Sequence, residues 1–385
     1  MSCKIIFTET NYKQEDFFPF THTRKIQDVR IGILSLREKW EKLLWMKSCD
    51  DSLSSIAQTE KNNKNESWII LPGNLLPSAS LCKAILKLEN GSFIANEKNQ
   101  PIAFRVSKNE ILPNGKIKKG KRISINFDVH YLTSPLDIIL QNDASLRFDF
   151  NLITKGRKSI AIPKYVKTKN PSKIFIENGA RLEHCILNAS VGPIYIGKNS
   201  LIMDGAVLRG SVAIGDESVV KSNATIYGAT TVGTGCVVGG EVKNSVFFDY
   251  SNKVHHGYIG DSIIGSYCNL GAGTSNSNIK NNASKVKLKF AKGIVNTGAK
   301  CGMFMGDYSR TAINTSINTG TVIGVCCNIF DSGLTPKSIS NFSWGNFAKY
   351  DLLKAFADIG AWKKMKKQKI TKEEKENLKY IFENY

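Results

Sequence analysis

The sequence predicts an open α/β domain followed by a parallel β-helix of hexapeptide repeats and a helical C-terminal tail. Three observations carry this. From Ile196 to Val238 apolar residues stand at every sixth position: Ile196, Ile202, Leu208, Ile214, Val220, Ile226, Val232 and Val238. The residues before about 150 show no such repeat and alternate strand-like with helix-like stretches, the pattern of an open α/β sheet. Near the end, Asn346 to Ala361 has helical spacing through Leu352, Leu353, Phe356 and Ile359, and Thr371-x-x-Glu374 is a capping box for a last helix.

A period of six fits neither the helical period of about 3.6 nor the strand period of about 2. It is the period of hexapeptide β-helices, in which three repeats make one triangular coil. The apolar residue of each repeat points inward onto its copy a coil away. Small or polar residues such as Gly197, Gly215, Gly233, Asp216 and Asn223 fall at the corners, where the chain turns tightly. Repeats begin near Ile176 and Leu182, and a two-residue offset at Gly192-Pro193 resets the phase. Lys243 to His256 and residues 275 to 290 break the period and are expected to be loops leaving a rigid scaffold, a common way to build a site. The phase returns at Ile264 and Leu270, and again at Met305, Thr311, Ile317, Ile323 and Ile329.

In the N-terminal part Lys4 to Phe7 reads as a short strand, and Ile31 to Trp45 as a helix with Ile31, Leu34, Trp40 and Leu44 on one face. Residues 47–67 are polar and read as a loop. Trp68 to Leu71 reads as a buried strand ending in Pro72-Gly73-Asn74. Ser78 or Ser80 is placed to cap a helix through Leu88. Turn signals at Asn90-Gly91 and Asn99 to Pro101 separate the strands Ser92 to Ala95 and Ile102 to Val106. The expected domains are 1–150, a linker at 151–173, the β-helix at 174–335 and a helical arm at 336–385.

Composition narrows the function. No stretch of eighteen apolar residues exists, so no membrane span is expected. The N-terminus lacks the apolar core of a signal peptide, and a cytoplasmic location is expected. Nine cysteines, an odd number without a C-x-x-C pair, indicate neither a disulfide framework nor a zinc site. The net charge of +20 is spread along the whole chain without a nucleic-acid motif, so the expected partner is an anionic small molecule and no nucleic acid.

Two stretches carry a family resemblance. FFPFTHTRKIQDVRIGILSLREKW (residues 17–40) resembles the opening of GlmU-like, sugar nucleotidyltransferase-type proteins, and Trp68-Ile-Ile-Leu-Pro-Gly-Asn74 resembles the strand whose closing Asp holds magnesium in that family. The N-terminal domain thus looks like an abbreviated α/β nucleotidyltransferase-like domain. The glycine-rich phosphate loop of the family is absent, and Asn74 stands where the metal Asp would be. Thr21, Arg24 and Arg30 are either phosphate contacts or local structural residues. Mg2+ is expected only if this domain is active.

The second stretch is Glu241-Val-Lys243, then His255-His256-Gly257-Tyr258-Ile-Gly260-Asp261, then Asn269-Leu-Gly271-Ala272-Gly273-Thr274. It resembles the acetyltransferase half of GlmU, the bifunctional UDP-N-acetylglucosamine pyrophosphorylase and glucosamine-1-phosphate N-acetyltransferase family, over roughly residues 174 to 330. The family places a Lys twelve residues before its catalytic His, a Tyr three after it and an Asn fourteen after it, which here are Lys243, His255, Tyr258 and Asn269. The resemblance implies a left-handed β-helix that works as a homotrimer and binds acetyl-CoA and a sugar phosphate. His255 would be the base that takes the amine proton, with His256 as the alternative; an imidazole that titrates near about 6.5 suits this task.

On the same pattern Lys243 and Tyr258 would hold the sugar phosphate, and Asn269 would orient its amino group. Backbone N–H groups of Gly271, Ala272 and Gly273 would polarise the thioester carbonyl. Asn278 matches an acetyl-CoA contact, and Lys285 or Lys287 lies near a further phosphate-binding Lys. The family's Arg-Pro-Gly is replaced by Ile226-Tyr227-Gly228, with Arg209 one coil earlier as its stand-in. Lysines at 363–369 are placed to meet CoA phosphates or to form a solvated helix face. The function expected is acetyl-CoA-dependent N-acetylation of a hexosamine phosphate, possible second readings being a nucleotidyltransferase with a regulatory β-helix and a non-catalytic trimeric scaffold.

Overall fold

A computed structural model of the chain describes residues 2–59, 66–118, 120–290, 293–345 and 348–385. These fall into two compact units. One holds the chain up to Gln14, Lys25–Val29 and Leu34–Thr133; the other holds Glu15–Arg24, Arg30–Ile33 and Ser134–Tyr385.

The first unit is a six-stranded mixed sheet in the order Ser48–Cys49, Ser2–Thr8, Glu66–Pro72, Pro101–Ser107, Ser92–Ala95, Lys121–Ser124. Ser2–Thr8 runs parallel to Glu66–Pro72, which runs antiparallel to Pro101–Ser107. The helix Leu36–Leu44 starts at a capping box of Ser35 and Glu38, and its Trp40 and Leu44 pack with Ile5, Ile69, Leu71 and Ile85. It begins five residues later than the apolar spacing suggested, so Ile31 lies outside it. The helix Ala79–Leu86 is capped by Ser78. The stretch 47–67 is more ordered than expected: it carries the strand Ser48–Cys49 and the helix Leu53–Gln58, with Ser52 as cap, while residues 60–65 lie outside the described residues.

The second unit is a parallel β-solenoid. Its coils contribute one strand each to sheets of nine, ten and six strands. Ile196, Ile214 and Val232 stack in the first, Ile202, Val220 and Val238 in the second, and Leu208 and Ile226 in the third. All eight are 0 or 1 % exposed, and they belong to one continuous core cluster. The period of six therefore reports inward side chains. The first strand of the six-stranded sheet is Lys167–Lys169, and Ile160 donates its N–H to Ile176 O, so the stretch expected to be a linker already carries part of the solenoid.

The expected loop at 243–256 is a correction. Glu241–Lys243, Val246–Phe247, Asn252–Lys253 and Tyr258–Gly260 all lie in the parallel ladders. The phase is lost because corners between Val238 and Val242, and between Val242 and Phe247, are shorter by one or two residues, not because the chain leaves the scaffold. The true excursion comes later. Ser275–Asn276 still pairs with Ser316–Ile317; the chain then leaves, forms the antiparallel pair Lys287–Phe290 and Gly293–Asn296, and returns at Phe304–Met305.

The chain closes with helices Leu352–Met365 and Lys372–Asn384, the second started by the Thr371–Glu374 capping box. Asn346, where helical spacing was expected to begin, lies outside the described residues. Ile359, Leu378 and Ile381 pack with Tyr308, Val325 and Phe342 of the solenoid.

Candidate functional site

The outer face of the six-stranded sheet gathers several polar groups. Its strands point Leu208, Ile226, Val242 and Ile259 inward, which turns their flanking residues outward. Arg209, Tyr227, Lys243 and Gly260 form one outward column, and Thr225, Glu241 and Tyr258 the next. The Tyr258 phenol lies across Gly260, where a Cβ would be 2.1 Å from its oxygen, so no larger residue fits there without moving the ring.

Asn278, at the start of the excursion, fixes that phenol. Its Nδ2 donates to Tyr258 Oη at 2.9 Å and to Asp261 Oδ2 at 2.5 Å. Asp261 Oδ1 accepts from Asn244 Nδ2 at 2.7 Å. Asp261 is buried and sits in the left-handed region at φ 51°, a corner conformation that Asp tolerates better than most residues. Burial, then the Asp261 charge, push the Tyr258 pKa up to about 12, so the phenol stays neutral with its proton free for an outside acceptor. Lys243 Nζ stands 5.6 Å from the centre of the Tyr227 ring. From inside, Asn276 bonds Gly260 N–H at 2.8 Å and Gly260 O at 3.0 Å, completing the ladder where its next strand is offset.

His255 and His256 occupy the corner entering this sheet, and both are exposed. The corner Gly271–Thr274 stacks on them: Gly273 N–H donates to His256 O at 3.0 Å. This corrects the expected row of carbonyl-polarising amides. Gly271 N–H bonds Thr311 O at 3.2 Å and Oγ1 at 3.1 Å, Gly273 N–H is held by His256, and Thr274 N–H bonds Gly271 O. Ala272 N–H is left open at this corner among the described residues.

The structure therefore brings Lys243, Tyr258 and Asn278 together on one face, with His255, Ala272 and Gly273 at the adjoining corner. Asn269 lies on the neighbouring ten-stranded sheet, 3.5 Å from Asn252, and not among the groups around Tyr258. Arg209 stands two coils from Lys243, roughly 10 Å at the usual strand spacing, with Tyr227 between them. Lys285 is exposed on the excursion, where its carbonyl accepts from Lys280 Nζ.

The other basic candidates are structural. Arg24 pairs with Asp307 and donates to Ser266 Oγ at 3.2 Å, Thr23 donates to Asp307 at 2.7 Å, and Arg30 is 3.1 Å from Asp249. Asp249 and Asp307 are solenoid corner residues whose Oδ1 atoms also accept Thr234 and Ser266 N–H. Arg24 and Arg30 are thus anchored on the β-helix, and Thr21 is buried. In the C-terminal arm Lys363 is buried against Glu374 and the Tyr267 ring, and Lys366 Nζ bonds Gly235 O and Asn252 Oδ1, each at 2.8 Å.

Asn74 does not fit a magnesium ion. Its Nδ2 donates to Leu132 O at 2.7 Å, its side chain is neutral and buried, and no group of three acidic, His or Cys residues placed to hold a metal exists among the described residues.

Sequence reasoning missed Asp261, Asn244 and Lys253. Asp261 was visible as Gly260-Asp261 but has no partner within its own strand; its partners come from one coil before and from the excursion. Lys253 was legible in principle, because Phe247, Lys253 and Ile259 keep the spacing of six on inward positions.

Residues 5–158 match the Sugar nucleotidyl transferase family, and residues 193–228 match the Bacterial transferase hexapeptide (six repeats) family. The chain is 34 % identical over 110 residues to a bifunctional sugar-1-phosphate nucleotidylyltransferase/acetyltransferase of Sulfurisphaera tokodaii, covering 28 % of this chain and 27 % of that protein. It is 35 % identical over 101 residues to the bifunctional protein GlmU of Methanocaldococcus jannaschii, covering 26 % and 25 %. It is 35 % identical over 144 residues to the uncharacterized acetyltransferase YaiX of Escherichia coli, covering 37 % and 63 %. The chain thus spans about a quarter of the length of the first two relatives. No helix among the described residues is long and apolar enough to cross a membrane.

Proposed function

We propose that this chain, a sugar nucleotidyl transferase domain joined to transferase hexapeptide repeats, is an acetyl-CoA-dependent N-acetyltransferase acting on a hexosamine phosphate, glucosamine 1-phosphate being the first substrate to test. The observation that carries this is the Lys243–Tyr258–Asn278–Asp261 group beside the exposed His255 corner. Acetyl-CoA, when bound, supplies the activated acetyl group.

The residues fit that chemistry. Lys243 brings a positive charge and Tyr258 a neutral O–H donor, which together suit a phosphate. His255 takes the proton that the amine loses as its nitrogen bonds the acetyl carbon and the carbon–sulfur bond breaks; that proton then goes to the departing thiolate. Ala272 N–H is the donor offered to the carbonyl oxygen as it gains charge. A homotrimer in the cytoplasm is part of the proposal; light scattering that finds only monomer would remove the assembly from it.

The test is to mix the purified protein with acetyl-CoA and glucosamine 1-phosphate and to look for the N-acetylated sugar phosphate by mass spectrometry. Its absence with folded protein would end the reading for this acceptor. A related expectation concerns Tyr258→Phe. Loss of a hydrogen bond to a charged group costs about 1.5–3 kcal/mol, so KM for the sugar phosphate is expected to rise roughly 10- to 100-fold while KM for acetyl-CoA holds. Steady-state kinetics with each substrate varied in turn would check it. An unchanged sugar-phosphate KM would take Tyr258 out of the phosphate site.

A further inference from the structure

We propose that Lys253 positions the His255 corner from inside the solenoid, its ammonium holding the backbone carbonyl of the residue that acts as base. This rests on the reading of His255 given above.

The slot is an unusual one for a lysine. Lys253 pairs in register with Val238, and Leu270 occupies the strand that pairs with Asn252 on the other side. Every other inward position of this sheet from Ile202 to Leu270 is Ile, Val or Leu. The Lys253 side chain is only 2 % exposed, and no ion pair to it exists among the described residues. A buried unpaired ammonium costs stability, whereas a Val or Ile in this slot would contribute packing. Burial accordingly pushes its pKa down to about 8.

The bond it does make is local and directed. Nζ donates to His255 O. It passes over Gly240, where a Cβ would sit 2.9 Å from Nζ and 2.8 Å from His255 O. Gly240 has φ +66°, so the backbone there both tolerates the turn and leaves the lane open. The neighbouring corner residue is held from the far side, by Gly273 N–H to His256 O. The two carbonyls of the His-His pair are thus held differently, that of His255 by a core side chain of its own coil and that of His256 by backbone of the next coil. The exposed imidazoles are thereby set on a corner whose backbone is fixed from the core side and from the following coil.

The test compares the full-length protein with Lys253→Met, which keeps the stem and removes the donor, and with Lys253→Leu as a second apolar variant. Backbone hydrogen exchange at 254–258 is expected to quicken about 10-fold or more, with exchange at 212–232 unchanged. The kcat for acetyl transfer is expected to fall about 10- to 100-fold while both KM values stay near wild type, as misplacement of a base predicts. Were Lys253 purely structural, its substitution would instead lower the thermal midpoint and leave the kinetics of the surviving folded protein alone. Unchanged exchange at 254–258 in both variants overturns the proposal, and so does faster exchange with unchanged kcat. If the wild type itself transfers no acetyl group, the functional reading fails, and the exchange measurement alone still decides whether Lys253 holds the corner.

Discussion

His255→Ala is expected to lower kcat for acetyl transfer about 100- to 10,000-fold, the usual worth of a positioned general base, with both KM values nearly unchanged. The imidazole is exposed at a corner, so its loss leaves no cavity and no orphaned core group. The thermal midpoint should therefore stay at the wild-type value. His256→Ala is the control. His256 is exposed as well, and its structural link is its backbone carbonyl, which alanine keeps. If the large loss appears in His256→Ala and not in His255→Ala, the base is His256, and the Lys253 bond then acts one residue away from the chemistry. If neither variant loses activity, the amine is deprotonated by another group, and the corner serves only to shape the site.

The alternation of inward residues was legible because it depends on one physical constraint: each coil must bury three apolar stripes. Where corners keep their length, as from Ile196 to Val238, the spacing of six is the structure. Where Val242 and Phe247 follow shortened corners, the coil is intact but the count slips, and a regular coil reads as a loop. The polar network was less legible. Tyr258, Asn278 and Asp261 meet because a coil and the start of the excursion return the chain to one face, and neither event has a residue-type signature. Arg24 and Arg30 looked equally fit for phosphate or for structure. Their carboxylate partners, Asp307 and Asp249, lie more than two hundred residues away, and only the fold brings them together. Asn269 kept its family spacing from His255 and still faces a different sheet from Tyr258, since spacing along a coil fixes the corner but not the face.

Lys253→Met should also raise the stability of the solenoid at pH 7, and the gain should shrink as pH rises. The native amine titrates at about 8 against 10.5 for a free lysine. Between those values the unfolded chain holds more protons than the folded one, so wild-type stability increases with pH through that window. Below pH 8 the wild type carries the whole penalty, on the order of 3 kcal/mol for a shift of this size. Methionine removes it but leaves His255 O without its donor, which costs about 1–2 kcal/mol. The net gain expected at pH 7 is thus about 1–2 kcal/mol, a rise of a few degrees in the unfolding midpoint. Near pH 10.5 the wild-type amine is neutral and still donates, so the variant should lose its advantage or fall slightly below. The titratable side chains closest along the chain, His255 and His256, are exposed and present in both proteins, so they cancel in the comparison. Urea or thermal unfolding of both proteins at pH 7 and pH 10 measures the difference. A stability difference that does not change with pH would mean that the Lys253 amine is solvated or paired in solution. A variant less stable at pH 7 would mean that the bond to His255 O outweighs the burial of the charge. An advantage at pH 7 together with a lower kcat would place Lys253 among residues that a fold keeps at a cost to its own stability, because the site needs them.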